Sequence, residues 1–271
     1  MSNKRREGDL LAQVLPTVVL GILIILLAVA LAVAGTALVH NRVPNKLRES
    51  HTVPLGLLNV GLTGMFGIIV GLTAFLVLGE YSDAQQALQR EAGDVEEIYR
   101  LAVPLTEPKQ EQIQGLATSY AHVVVNEEWP LMEKDRTSPR AAALIEDLRS
   151  TIQEGYRTST GAEQDFFGEE LDEMDELDQD REARVLAVHQ RLPPILWIAL
   201  VILAMATIGF SSLAGMESRR LHLVTVGILA TGITVALFTI GVLDRPFGTD
   251  FRVQPQPFEL LLHEIEGNRG R

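Results

Sequence analysis

Four long stretches without a charged side chain constrain the fold of this chain more than any other feature. They cover residues 10–39, 52–79, 192–216 and 221–243, and none contains Asp, Glu, Lys or Arg. Each is longer than the roughly 20 apolar residues that a helix needs to cross a bilayer core about 30 Å thick. Because a spanning segment must satisfy its own backbone polar groups, each stretch predicts a transmembrane helix. The sequence therefore predicts an all-α, polytopic membrane protein with four spans.

The negative charge of the chain lies mainly between the second and third stretches. The formal net charge is −12. Residues 80–190 contain 26 acids and 10 Lys or Arg, whereas the other residues contain 9 acids and 13 Lys or Arg. Apolar residues recur at helical spacing through this segment, which predicts an acidic helical domain outside the membrane. Nucleic acid is not an expected partner, because a phosphate backbone requires a basic face.

These patterns predict five segments. Residues 1–55 form an N-terminal tail, the first transmembrane helix and a basic loop, and residues 56–79 form the second transmembrane helix. Residues 80–191 form the acidic helical domain inserted between spans two and three. Residues 192–243 form the third and fourth transmembrane helices, and residues 244–271 form a C-terminal tail. The sequence from Gly56 to Leu105 has no Pro before Pro104, so it predicts one long helix or two collinear helices.

The second span has a row of small residues on one face. The row follows helical steps of four and three residues and consists of Thr63, Gly67, Gly71 and Ala74. Small residues let helix backbones approach closely in lipid. Two interpretations stay open: a face that lines a pore or symmetry axis, and a face used for ordinary helix packing.

Charged residues follow two of the spans directly. Glu80 ends the second span and is followed by Asp83, while Asp244 and Arg245 follow the fourth span. One interpretation is that they are ordinary residues of the membrane interface. The other is that they pair with each other or meet a permeant cation at a pore mouth, because rings of acids in an oligomer select cations.

Chemistry-bearing motifs are missing from the sequence. It contains no phosphate-binding loop, nucleophile elbow, zinc-protease motif or dinucleotide fingerprint, and no Cys. The six His are scattered along the chain. Residues 163–180 contain 10 acids without the spacing of a calcium loop, so a solvated acidic face is favoured over a bound divalent cation. No catalytic residue, metal site or cofactor is predicted, and the chain is not expected to be an enzyme.

Several segments of the chain resemble the bestrophin-like family of bacterial membrane proteins. They are FLVLGEYSDAQQALQREAGDVEEIYRLAVPL, YAHVVVNEEWPLM, LPPILW and LDRPFGTDFRVQPQPFELLL. The resemblance covers residues 56–262. The most specific parts of the resemblance include the charged residues at the ends of the spans. The other specific residues are interpreted as structural, and they are Glu91, Glu128, Trp129, Pro130, Pro246 and Phe247.

The resemblance carries expectations about function. Bestrophins are pentameric ion channels with four spans, a pore lined by the second span and a helical cytosolic domain. The resemblance implies a homo-oligomer in the cell membrane, a pentamer that conducts inorganic ions, with the acidic domain and both termini in the cytoplasm. The alternative is a non-conducting membrane scaffold or signalling protein that binds a partner through its acidic helices. Basic residues flank the spans on both sides, so charge leaves the sidedness open.

Overall fold

The computed structural model describes residues 2–43, 52–214, 218–248 and 253–269, which are helical with short connections and contain no β-strand within those ranges. A π-helix, Val124–Glu128, joins the third and fourth helices. In chain order the helices are α1 (Ser2–Arg42), α2 (Thr52–Leu101), α3 (Lys109–Val123), α4 (Trp129–Met132), α5 (Pro139–Thr158), α6 (Ala162–His189), α7 (Pro194–Leu213), α8 (Arg219–Leu243) and α9 (Gln256–Arg269). The predicted all-α fold is confirmed. Most of the basic loop predicted after the first span lies outside the described residues.

Four of these helices are long and apolar enough to cross a membrane. The candidate spans are Pro16–Arg42, Pro54–Leu101, Pro194–Leu213 and Arg219–Leu243. Many of their large side chains are exposed, including Leu26, Phe75 and Ile195. Exposed apolar surface of this extent suits helices that contact lipid rather than water. The prediction of a membrane protein with four spans is confirmed.

The second span and the first helix of the acidic segment form one uninterrupted helix, α2, which ends at Leu101. This selects the single-helix alternative over two collinear helices. The helix ends three residues before Pro104, whose ring and missing N–H are incompatible with a helix interior.

The chain divides into two compact units. The membrane unit comprises Met1–Gly79 and Arg191–Asp244, and the acidic unit comprises Glu80–Gln190 and Arg245–Arg271. The sequence predicts a separate C-terminal tail over residues 244–271. In the structure, α9 packs Phe258, Leu261 and Ile265 into the core of the acidic unit. The amphipathic pattern of this segment explains the difference, because its apolar face is buried when the helix packs on others.

Small apolar clusters hold the membrane unit together. Phe66 of α2 packs with Leu200 of α7 and Ile233 of α8. Ala32 of α1 packs with Ala230 of α8. At this contact between α1 and α8, a Cβ added to Gly21 would lie 2.6 Å from the Phe238 ring. A side chain at this position would therefore require the Phe238 ring to move.

The acidic unit has a larger and more continuous core. Leu88, Val95 and Ile98 of α2 contribute one side of it. At the start of α5, Ser138 is the N-cap, its Oγ accepts a hydrogen bond from the Ala141 N–H, and Pro139 is the first helical residue. The largest fully buried uncharged side chains from the other helices are Tyr120, Ile113, Met132, Leu148, Ile152, Phe167, Met174, Leu177 and Phe258.

Candidate functional site

The small-residue row of α2 is left open by the described helices except at its last member. Thr63, Gly67 and Gly71 are exposed, whereas the half-buried Ala74 packs against the cluster of Val77, Leu192 and Ile240. A Cβ built on Gly67 or Gly71 would meet no atom of the described residues within 4 Å. The face of α2 that packs within the chain instead carries larger residues, among them Phe66. The glycines are therefore not required for packing between the described helices of one chain.

The charged residues at the span ends have different surroundings. Asp244 accepts hydrogen bonds from the Leu192 N–H at 2.7 Å and from the Trp197 Nε1–H at 3.3 Å. Its carboxylate thus ties the end of α8 to the beginning of α7. Glu80 is half-buried on α2, whereas Asp83 and Arg245 are exposed.

A polar cluster that was not predicted joins the helices of the membrane unit. The Asn59 Nδ2–H donates to Ser211 Oγ at 3.0 Å. The buried His222 has its Nε2 2.9 Å from the Ser211 carbonyl oxygen, and its ring centroid lies 5.1 Å from that of His40. The sequence shows the six histidines as scattered, and packing between α1 and α8 brings His40 and His222 together. Polar contacts of this kind stabilise helix association in lipid.

The residues that carry the family resemblance converge on a buried guanidinium in the acidic unit. Glu91 of α2, Glu128 of the π-helix and Arg184 of α6 are all 0% exposed. Arg184 Nη2 donates to Glu91 Oε1 at 2.8 Å and to Glu128 Oε2 at 2.8 Å. Its Nε also donates to Glu91 Oε2. One arginine therefore joins three segments of the fold.

A second arginine and a tyrosine complete this network. Arg181 donates to Glu128 through Nη2 at 2.9 Å and through Nη1 at 3.1 Å. Its Nη1 also lies 2.8 Å from the Tyr120 hydroxyl, which donates to Glu91 Oε1. The Ser138 N–H donates to Glu128 Oε1 at 3.1 Å. We call Glu91, Tyr120, Glu128, Arg181 and Arg184 the buried charge network.

The irregular helix around Pro130 positions the glutamate of this network. The π-helix ends at Glu128, and Trp129 and Pro130 begin α4. Because proline lacks an N–H and disfavours helical backbone at the residue before it, an irregularity is expected here, and it takes the form of a local π-helix. The Trp129 ring lies edge-on to Phe247 at 5.5 Å, and the Arg184 guanidinium is 5.8 Å from the Trp129 centroid.

Burial and the neighbouring charges together determine which groups of the buried charge network are ionised. Burial by itself would raise the pKa of Glu128, but the charges of Arg184 and Arg181 and their hydrogen bonds outweigh it and lower that pKa. Burial opposes the charge of Arg184, yet Glu91 and its hydrogen bonds raise the Arg184 pKa well above its usual value. Burial also raises the pKa of Tyr120 well above its usual value. The Glu128 carboxylate is therefore charged between two guanidiniums and near a neutral phenol.

Sequence reasoning missed both arginines, although α6 contains a signal for them. Met174, Leu177, Arg181, Arg184 and Val188 follow heptad-like spacing on one face of the helix. The first two and the last are apolar, so charged residues at the intervening positions must be buried with a counter-charge. The partner Glu91 is 93 positions away from Arg184 and could not be identified from local spacing.

A comparison with protein-family models identifies the family to which this chain belongs. A family model described as the Bestrophin-like domain matches residues 26–258, from within α1 to the beginning of α9. No curated protein and no solved structure gave a significant match. The family match includes most of the first span, where the resemblance noted from the sequence began only at residue 56.

Proposed function

Since the chain belongs to the Bestrophin-like family, we propose that it forms a homo-oligomeric ion channel, or a channel-like protein, in which α2 lines the central axis. The observation that carries the proposal is the open row of Thr63, Gly67 and Gly71 on α2. The proposed location is the cell membrane, with the acidic unit and both termini in the cytoplasm. The family resemblance supports five copies.

A row of glycines in a membrane helix requires a physical reason. Glycine lowers helix stability by about 1 kcal/mol relative to alanine. A lipid-facing surface gains nothing from it, and large side chains such as Leu72 and Phe75 cover the exposed surface of α2 elsewhere. Close approach to another helix, or a narrow path along an axis, does benefit from the missing side chains. Both occur when several copies of α2 surround a common axis.

Acidic residues at the end of the span suggest which ions pass. Glu80 and Asp83 follow the span directly, so a ring of subunits would place several carboxylates near one end of the proposed path. Rings of carboxylates attract cations and exclude anions. The proposed channel therefore prefers cations.

Ion flux through the purified protein in liposomes tests this function. The proposal expects flux above that of protein-free vesicles and a particle mass in detergent of several chains. Glu80→Gln is expected to reduce the preference for cations over anions while the oligomer persists. Glu111→Gln removes the same charge from an exposed position of α3. This variant is expected to leave the preference for cations over anions unchanged.

Two results would contradict the proposal. One is a monomeric particle, and the other is an intact oligomer without flux across a range of salts and pH values. An oligomer without flux that captures a specific protein through the acidic unit would instead support the non-conducting scaffold.

A further inference from the structure

Three carboxylates converge in the acidic unit, outside the buried charge network. They are Asp94 of α2 and Glu173 and Glu176 of α6. One oxygen from each residue lies within 4.8 Å of an oxygen from the other two. Glu173 and Glu176 are three residues apart and so project from the same face of α6.

Asp94 provides the observation that distinguishes this group from an ordinary acidic surface. Its side chain is buried, with only 7% exposed. Its Oδ2 has no hydrogen-bond partner among the described residues. A buried carboxylate oxygen without a donor is costly, because the desolvation of the charge is not compensated. The site therefore contains a buried oxygen atom that lacks a positive group or a donor.

The neighbouring basic side chains are already engaged by other acids. Arg90 pairs with Asp180 at 2.9 Å. Arg184 is held by Glu91 and Glu128, and Arg100 pairs with Glu97. The Asp94 carboxylate therefore lies beside the carboxylates of Glu173 and Glu176, while each of these basic side chains is bound to another acid.

A small cation would resolve both features. We propose that Asp94, Glu173 and Glu176 bind a hard divalent cation, Mg²⁺ or Ca²⁺, between α2 and α6. Carboxylate oxygens are the ligands that both ions prefer, and water completes their coordination. Glu173 is half-buried and Glu176 is exposed, so the ion and its water ligands can enter from the surface. The three ligands contain no imidazole or thiolate, which disfavours a zinc site.

The sequence did not favour such a site because it lacks a calcium-loop spacing within residues 163–180. Its third ligand lies outside that run. Asp94 comes from α2, 79 positions before Glu173, so only the packing of α6 on α2 brings the carboxylates together. Binding would link these two helices and stabilise the folded acidic unit, since a ligand that binds only the folded state shifts the unfolding equilibrium.

Titration of the full-length protein in detergent tests the site. After removal of metals with a chelator, MgCl₂ and CaCl₂ are titrated separately by calorimetry, and the thermal unfolding midpoint is followed at constant ionic strength set with NaCl. At least one ion is expected to bind saturably and to raise the midpoint. Asp94→Asn, and the double variant Glu173→Gln with Glu176→Gln, are expected to weaken that binding by at least about tenfold.

A control and a further ligand variant make the result specific. The double variant Glu169→Gln with Glu182→Gln removes two exposed charges from the same helix and is expected to keep the affinity. The single variant Glu176→Gln changes an exposed ligand and so provides a test even where a change at the buried Asp94 impairs folding. Absence of saturable binding of either ion would overturn the proposal, as would binding that persists in both ligand variants.

Discussion

Arg184 is the residue on which the buried charges of the acidic unit depend. It is fully buried, and it donates hydrogen bonds to two glutamates that are equally buried. The guanidinium presents several donors in a fixed plane, so it can satisfy two carboxylates at once in a way that a lysine ammonium cannot. Its removal would leave Glu91 without its bidentate partner.

We therefore expect Arg184→Met to destabilise the protein by about 3–5 kcal/mol, the range for breaking one side of a buried ion pair. Arg184→Lys should recover only part of the loss. The measurement is denaturant unfolding in detergent, followed by helical circular dichroism. Arg100→Gln, which removes a solvent-exposed ion pair with Glu97, is the control and should have a much smaller effect. Equal effects of Arg184→Met and Arg100→Gln would contradict the structural role of the network.

Glu170 is a buried acid of a different kind, because both of its carboxylate oxygens lack a partner among the described residues. Burial raises its pKa from 4.5 to about 8. Between these values the folded state binds more protons than the unfolded state, so stability decreases as the pH rises through this window and levels off above it. Protonated Glu170 is thus the form compatible with the fold.

Glu170→Gln should remove this contribution to the pH dependence. The thermal midpoint of the variant is expected to fall less than that of the unmodified protein between about pH 5 and about pH 9, since one pKa unit corresponds to about 1.4 kcal/mol. Glu169→Gln, at the exposed neighbouring position, should keep the original dependence. Parallel pH profiles for the protein and for Glu170→Gln would show that Glu170 is not the group responsible.

At the scale of elements, the helices of the acidic unit are fixed by close packing as well as by charge. Gly155 of α5 lies against the Phe167 ring of α6, and a Cβ at Gly155 would overlap that ring. Phe167 is itself fully buried and belongs to the core. The contact between α5 and α6 therefore requires a glycine at this position.

Gly155→Ala is expected to destabilise the protein by about 1–3 kcal/mol, the usual cost of overpacking a core. The same substitution at Gly93 of α2 is the control, because a Cβ there meets nothing within 4 Å among the described residues. It should stabilise the protein by about 0.4–1 kcal/mol through the unfolded state. Thermal midpoints of the two variants check the contrast, and a stabilising Gly155→Ala would refute the packing argument.

Local sequence signals were sufficient for the elements but not for the site. The length of the uncharged stretches predicts the four spans, and Pro139 and Pro194 occupy the first positions of their helices, where proline is favoured. The π-helix was visible only as an irregularity at Pro130. The pairing of Arg184 with Glu91 depends on packing between helices far apart in the sequence, and helical periodicity carries no information about such pairs. The convergence of Asp94 with Glu173 and Glu176 could not be predicted from the sequence for the same reason.

At the scale of the whole molecule, the chain combines a membrane unit with few large buried side chains and an acidic unit with a continuous core. The buried charge network belongs entirely to the acidic unit, whose stability it serves. The small-residue row belongs to the membrane unit, whose described helices leave Thr63, Gly67 and Gly71 uncovered. This division assigns stability to one set of residues and the proposed conduction to another.

The most direct test of the proposed central axis uses the absence of Cys from the chain. Gly67→Cys and Ile68→Cys each introduce one thiol, at adjacent positions of α2 that point in different directions. Ile68 is a large apolar side chain, 66% exposed in the single chain. A charged, water-soluble thiol reagent is then applied to the reconstituted protein while ion flux is recorded. We expect the reagent to label Gly67→Cys and to block its flux while Ile68→Cys stays unlabelled, whereas equal protection of both thiols would contradict a water-filled axis along α2.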